Sequence, residues 1–170
     1  MERINWDDYF MVMAFWASKR SPDESTKCGC VLVNKNNQIV GLGYNGYPRK
    51  VDESKMPKER PEKYPPILHS EENAILNCSS SLEGATAYIT GPPCIHCWAH
   101  IIQKGITKVV YGPVTTSKVG LYADSKVDSL PQVVRDMLEN HFIEVVRWSP
   151  ENKILLMQES ASIQDFIGKS

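Results

Sequence analysis

Two cysteines three residues apart stand at the start of a predicted helix. Cys94 and Cys97 lie in the stretch GPPCIHCWAHIIQKGI, and Pro93 directly precedes the first of them. Residues three apart share one side of a helical turn, proline is favoured at helix starts, and helix N-termini stabilise thiolates. The pair therefore suits half of a zinc site, although the spacing alone also fits a redox dithiol or two buried thiols.

A second stretch, LHSEENAIL, supplies a histidine and a carboxylate. His69 lies 25 residues before Cys94, and Glu71 follows it at the next position but one. One helix and one strand fit between them, so an α/β unit would bring both helix N-termini to one sheet edge. Three protein ligands leave one zinc position open for water, as in catalytic sites, and Glu71 is the candidate proton carrier. The order H-x-E, then P-C-x-x-C, is typical of zinc deaminases acting on cytosine or adenine.

The bulk composition indicates an ordinary globular protein. The chain has 170 residues, 42% of them hydrophobic, and a net charge of −1. This balance argues against a nucleic-acid or anionic-membrane partner. Without an apolar run near ~20 residues or a signal-peptide pattern in MERINWDDYF, we expect a cytoplasmic location, in which the five cysteines are thiols or metal ligands rather than disulfides.

Hydrophobic patterning predicts a helix, two strands and then strand–helix alternation. Residues 5–20 form an amphipathic helix capped by Asn5, whose stripe of Tyr9, Met13, Trp16 and Ala17 we assign to the core. Two strands flank a polar turn at 34–38, and the long polar loop 47–66 is expected to be a lid, an insertion or partly disordered.

The alternation predicts an α/β fold. We expect a single-domain αβα sandwich with a central mixed sheet of about five strands and helices on both faces. The domain would span residues 1–158, including a last strand in KILLMQ, and a polar tail would occupy 159–170.

Three segments resemble deoxycytidylate deaminases of the cytidine deaminase superfamily. They are STKCGCVLVNKNNQIVGLGYNGYP, KYPPILHSEENAILN and GATAYITGPPCIHCWAHIIQKGITKVVY. The resemblance covers roughly Asn5 to Tyr111 and implies a cytidine deaminase-like fold. It also implies hydrolysis of dCMP to dUMP and ammonia, with one catalytic Zn²⁺ on His69, Cys94 and Cys97. A zinc-activated water would be the nucleophile and Glu71 the proton shuttle.

The resemblance further implies contacts with the substrate. Asn45 would hydrogen-bond the sugar, and Tyr111 falls where the family has an aromatic near the base. Ser25 and Lys27, together with the loop 118–122, are candidates for the phosphate. Ser70 replaces the usual alanine beside Glu71 and is included in the substrate site.

Regulation and assembly are implied in the same way. Gly43, Tyr44 and Gly46 belong to the G-Y-N-G loop, near which many members bind dCTP as activator or dTTP as inhibitor with Mg²⁺. The residues after Gly46, YPRKVDESKMPK, lack the glycine, cysteine and paired aspartates of regulated members. Members are commonly hexamers, so we expect a homo-oligomer.

Two other classes of function compete with this interpretation. A deaminase for nucleosides, dCTP, a modified cytosine or a tRNA base would share the zinc motif, although acidic residues dilute the basic ones in the loop 47–66. A zinc-stabilised nucleotide sensor would also need the ligands, but it would have no use for the carboxylate of Glu71.

Overall fold

The computed structural model describes residues 3–59, 62, 65–114 and 132–149. The predicted loop 118–122, the strand in KILLMQ and the tail 159–170 lie outside these residues. Within them the predicted order of elements is confirmed, as follows: α1 Trp6–Ser18, β1 Gly29–Val33, β2 Ile39–Tyr44, α2 Ser70–Asn77, β3 Thr86–Ile89, α3 Ile95–Gln103, β4 Lys108–Tyr111, α4 Gln132–Leu138 and β5 Glu144–Arg147.

The five strands form one mixed sheet in the order β2-β1-β3-β4-β5. Strand β1 runs antiparallel to both β2 and β3, whereas β3, β4 and β5 are parallel. One face packs on α1, through side chains such as Phe10 and Met11. The other face packs on α2, α3 and α4, through side chains such as Ala74, Trp98 and Val134. The predicted α/β sandwich with helices on both faces is confirmed.

The cap of α1 was predicted correctly, but its buried face only in part. Asn5 Oδ1 accepts a hydrogen bond from the Asp8 amide at 2.8 Å. Tyr9 and Trp16, assigned to the core from the sequence, are 40% and 55% exposed. The buried residues of α1 include Phe10, Met11, Ala14, Ala17 and Ser18, so Ala17 of the predicted stripe is buried as expected. Met13 is partly buried against the same core.

Small residues on this face allow α1 to approach the sheet closely. A Cβ atom at Gly29 would lie 2.0 Å from the Ala14 carbonyl oxygen and 2.7 Å from the Ser18 nitrogen. Backbone can approach so closely only where the side chains between the two elements are small or absent. Tyr9 and Trp16 are not part of this contact and remain exposed.

The loop after β2 is pinned at its base, next to the histidine of the zinc motif. Gly46 and Leu68 exchange two backbone hydrogen bonds, of 3.1 and 2.9 Å. The Tyr47 hydroxyl donates to the Pro57 carbonyl at 2.7 Å. The described part of the loop is thus held by hydrogen bonds at its base and within the loop. None of the helices in the described ranges is long and apolar enough to cross a membrane.

Candidate metal and catalytic site

Four strands place their ends at one edge of the sheet, which we call the site edge. Strand β1 begins there at Gly29 and β2 ends there at Tyr44. Strands β3 and β4 end beside them at Ile89 and Tyr111, which are paired in register. Helices α2 and α3 both start at this edge, because β3 connects the end of α2 to the start of α3.

Three ligand atoms meet where these two helices start. His69 is the N-cap of α2, Cys94 is the N-cap of α3, and Cys97 lies in the first turn of α3. Each sulfur is 3.4 Å from His69 Nδ1, and the ligand atoms of the three residues all lie within 4.8 Å of one another. Tetrahedral bonds of the usual zinc–sulfur and zinc–nitrogen lengths would separate S from N by about 3.6 Å. The cluster therefore fits a zinc ion.

Hydrogen bonds among His69, Cys94 and Cys97 shift the pKa of each of them. A hydrogen bond with Cys97 lowers the pKa of Cys94 to about 3, and the bond from His69 acts in the same direction. The hydrogen bond with Cys94 raises the pKa of His69 to about 9. The pKa of Cys97 is raised, first by its bond with Cys94 and then by burial. A cation bound by these atoms would take the place of the protons that they share.

Glu71 lies beside the cluster and is only 6% exposed. His69 precedes the helix with an extended backbone, at φ −72° and ψ 159°. The usual divergence of residues two apart on a helix therefore does not apply to this pair. Burial raises the pKa of Glu71, and its charge interacts with His69 and Cys94.

Ser70 is fully buried, and its hydroxyl donates to Glu71 Oε2 at 2.8 Å. The sequence placed Ser70 in the substrate site. In the structure its hydroxyl contacts the carboxylate of Glu71, so it fixes the orientation of that carboxylate.

Glycines in β2 allow α2 to lie directly on the sheet. A Cβ atom at Gly43 would lie 2.3 Å from the Ala74 nitrogen and 2.4 Å from the Ser70 oxygen. A Cβ atom at Gly41 would lie 2.9 Å from the Ala74 oxygen. Gly43, predicted as a regulator contact, thus lies beneath the helix that carries Glu71.

Asn45 is buried between two backbone segments. Its Oδ1 accepts from the Cys28 amide at 2.7 Å, and its Nδ2 donates to the Thr26 carbonyl at 2.9 Å. The side chain predicted to contact a sugar therefore holds the corner at residues 25–27. On that corner Ser25 and Lys27 are exposed, and the Ser25 hydroxyl donates to Asp23 Oδ1 at 2.7 Å.

The remaining predicted residues also lie at the site edge. Tyr111 is 5% exposed, and burial raises its pKa. Because side chains alternate along a strand, it faces the same side as Val109, towards the α2 and α3 layer. Tyr44 ends β2, and Gly46 pairs with Leu68, directly before the histidine of the cluster.

A cavity of about 580 Å³ opens beside this edge, between the loop before β1 and the loop after β2. Its walls include Ser25, Tyr47, Lys58 and Ile67. None of the metal-cluster side chains belongs to its lining within the described part of the chain. The volume suits a small molecule, and Ser25 links the cavity to the predicted phosphate corner.

Two residues near the site were not anticipated. Thr90 is fully buried, and its Oγ1 accepts from the Gly29 amide at 3.0 Å. Cys28, which directly precedes β1, lies close to Glu71. Burial raises the pKa of Cys28 to about 12, and the charge of Glu71 adds to this rise. Threonine is common in and beside strands, so no local sequence pattern indicates the buried contact of Thr90.

Comparison with known proteins identifies the family. The profile described as "Cytidine and deoxycytidylate deaminase zinc-binding region" matches residues 4–113. An uncharacterised deaminase of the luxG 3′ region of Aliivibrio fischeri is 41% identical over 145 residues, which cover 85% of this chain and 94% of that protein. Human deoxycytidylate deaminase is 38% identical over 115 residues, and the match covers 64% of this chain and 65% of the human protein. The mouse protein is likewise covered over 65% of its length, at 39% identity.

A solved structure agrees with these matches. The dCMP deaminase of cyanophage S-TIM5, in complex with dCMP and dUMP, superposes with a TM-score of 0.66 at 25% identity. The alignment covers 87% of this chain and 100% of the phage protein. The fold, the matched region and the cluster at the site edge lead to one conclusion: this chain belongs to the family of the cytidine and deoxycytidylate deaminase zinc-binding region.

Proposed function

We propose that this protein is a zinc-dependent deaminase that converts dCMP and water to dUMP and ammonia. The observation that carries the proposal is the convergence of His69 Nδ1 and the sulfurs of Cys94 and Cys97 within 4.8 Å, beside the buried carboxylate of Glu71. The relatives named as deoxycytidylate deaminases support the choice of substrate, as does the phage enzyme in complex with dCMP and dUMP.

Zinc would be held by His69, Cys94 and Cys97, and it would supply the Lewis acidity that brings the pKa of a water molecule to about 7. Glu71 accepts the proton of the attacking water on its carboxylate and delivers it to N3 of the cytosine ring. The same carboxylate then takes the proton of the hydroxyl group that the water has left on C4 and passes it to the amine, so that the C4–N bond breaks and the C4 carbonyl forms. One water is consumed and one ammonia leaves, so Glu71 ends in its starting protonation state.

The residues around Glu71 keep it in place for this role. Ser70 fixes one carboxylate oxygen, and the seat of α2 on Gly43 fixes the start of the helix. Asn45, Ser25 and Lys27 are proposed for the sugar and phosphate, and Tyr111 for the base. The ring would then enter from the exposed side of the cluster, where His69 is open to solvent.

The direct test is turnover by the zinc-loaded protein. Deoxycytidine, dCMP, dCTP and CMP are incubated separately, and loss of the cytosine absorbance is followed. We expect dCMP to be the preferred substrate. If dCMP is inert while another of the four is deaminated, the substrate is wrong but the chemistry stands. If all four are inert, the proposed activity is contradicted.

Replacing Glu71 by Gln tests the proton carrier. We expect Glu71→Gln to keep zinc at the wild-type level and to lower kcat by at least about 100-fold, the usual scale of general acid–base catalysis. Glu72→Gln is the matched control, because Glu72 is the next residue of the same helical turn. Wild-type turnover by Glu71→Gln would remove this carboxylate from the mechanism.

Regulation and assembly complete the proposal. Repeating the assay with dCTP, or with dTTP, in the presence of Mg²⁺ tests whether Gly43, Tyr44 and Gly46 belong to a regulator site. Light scattering on the same preparation tests the expected homo-oligomer, for which a hexamer is favoured.

A further inference from the structure

We propose that Asn73 is a positioning residue for substrate recognition, and that it acts through a directed chain of hydrogen bonds running from Arg49 to the backbone at Tyr44. The chain fixes α2, which carries Glu71, relative to the loop that carries Asn45. This inference rests on the proposed function, because it concerns how the same site recognises a nucleotide.

Four groups form the chain across the outer side of α2. Arg49 Nη2 donates to Asn77 Oδ1 at 3.0 Å. Asn77 Nδ2 donates to Asn73 Oδ1 at 2.9 Å. Asn73 Nδ2 donates to the Tyr44 carbonyl at 2.8 Å. Asn73 and Asn77 lie one helical turn apart, so the geometry of α2 itself brings the two amides together.

The two ends of the chain determine how each amide is oriented. A guanidinium can only donate, so Asn77 must present its oxygen to Arg49 and its NH₂ group to Asn73. A backbone carbonyl can only accept, so Asn73 must present its NH₂ group to Tyr44. Both conditions require the same orientation of the two side-chain amides. Flipping either amide would place two donors or two acceptors in contact.

A second amide continues the connection beyond Tyr44. Asn45 follows directly in the chain, and its side chain binds the backbone of Thr26 and Cys28 at 2.9 and 2.7 Å. The path therefore runs from α2, through the end of β2, to the corner that carries Ser25 and Lys27. It fixes one wall of the cavity beside the site edge, of which Ser25 is a part.

This arrangement has a consequence for recognition. Deamination occurs at the start of α2, whereas the proposed sugar and phosphate contacts lie on the two loops. Binding a nucleotide requires both regions at a fixed separation, and the amide chain holds them together in addition to the contact of α2 with Gly41 and Gly43. A protein with a broken chain should keep its zinc and its chemical step, but it should bind the nucleotide less well.

The test uses Asn→Asp changes, which preserve shape but replace a donor with an acceptor. Asn77→Asp still accepts from Arg49 but has no NH₂ group for Asn73. Asn73→Asp places a carboxylate oxygen against the Tyr44 carbonyl, and Asn73→Ala removes the donor without adding charge. Asn36→Asp is the control, because Asn36 is exposed in the turn between β1 and β2, at the opposite end of this strand pair from the site.

We expect Asn73→Asp and Asn73→Ala to raise KM for dCMP by roughly tenfold, and Asn77→Asp by roughly threefold, as expected for losing or misdirecting one hydrogen bond. Their kcat should stay within about twofold of wild type, and zinc content should be unchanged. Asn36→Asp should match wild type. Deuterium exchange should also become faster in the peptides that contain Thr26 to Cys28 and Asn45.

Two results would overturn the inference. One is an unchanged KM in all three variants, whatever the exchange rates show. The other is a loss of kcat and zinc together at constant KM, because Asn73 would then only hold α2 in place. Failure of the proposed function looks different, since the wild-type protein itself would not turn over dCMP.

Discussion

Among the five cysteines, Cys94 and Cys97 differ from the other three in what surrounds the sulfur atom. Both lie within 3.4 Å of an imidazole nitrogen. Cys30 is fully buried and Cys28 is largely buried, and burial raises the pKa of both thiols. The Cys78 sulfur contacts only the Ser80 carbonyl among the described hydrogen-bonding groups. A thiolate that binds metal is therefore expected only at the first pair.

Replacing Cys97 by Ser should separate the two kinds of cysteine. A serine hydroxyl is a poor zinc ligand, so we expect Cys97→Ser to bind substantially less than one zinc per chain. Cys78→Ser makes the same atomic change outside the cluster and should keep the wild-type content. Metal analysis of both purified variants decides the matter, and equal zinc in the two proteins would show that the ligand set is wrong.

Single residues differ in how readily their roles can be predicted. That His69, Cys94 and Cys97 lie close together was predictable, because helix starts impose a spacing on the sequence and these three residues follow it. The contacts of Asn45 were not predictable, because its partners Thr26 and Cys28 lie 19 and 17 residues away. A side chain bonded to distant backbone leaves no periodic pattern, and the same holds for Thr90.

At the level of elements, the position of α2 depends on two glycines of β2, which have no side chain. Gly41 and Gly43 present bare backbone to the helix, which approaches until Ala74 and Ser70 almost touch the strand. This close seat fixes the start of α2 and, with it, the directions of His69 and Glu71. The two strand glycines therefore act on the site through the helix.

Adding one methyl group at Gly43 should displace this helix. The new Cβ would lie 2.3 and 2.4 Å from backbone atoms that have no rotamer to change. We expect Gly43→Ala to lower the free energy of unfolding by about 3 kcal/mol, at the upper end for overpacking, and to lower kcat. Urea unfolding and turnover measure the two effects.

Gly46→Ala is the matched control for this change. Its Cβ would lie 3.2 Å from the Pro22 ring, a contact almost 1 Å longer than those at Gly43. We expect it to cost less than about 1 kcal/mol, in the range of tolerated changes. If both variants were equally stable and active, the proposed role of Gly43 in seating α2 would be rejected.

The sequence also predicts some features of an element better than others, as α1 shows. The existence of α1 followed from its cap at Asn5, but its buried face followed only in part. The helix is apolar on several sides, so periodicity could not choose between Tyr9 and Phe10. The choice is made by Gly29, which admits backbone contact and therefore selects the side on which Ala14 and Ser18 lie.

For the whole molecule, the cluster joins parts that are distant in sequence. It connects the start of α2 to the start of α3 across the site edge, while separate apolar cores stabilise the two faces of the sheet. Fold class was predictable, because the alternation of strands and helices admits few arrangements. The cavity between the two loops was not predictable, because it depends on where the loop after β2 folds back at Leu68.

Metal should therefore stabilise the entire fold. A ligand that binds only the folded state adds RT ln(1 + [L]/Kd), about 2.7 kcal/mol at 100 times Kd. For a chain of this size, that corresponds to a rise in Tm of about 5–10 °C. We expect chelator-treated protein to melt lower by at least this amount and to recover when zinc is restored. Cys97→Ser should show no such recovery, whereas Cys78→Ser should recover like wild type. A Tm that did not respond to zinc in the wild-type protein would mean that the three ligands do not hold a metal strongly enough to couple α2 to α3.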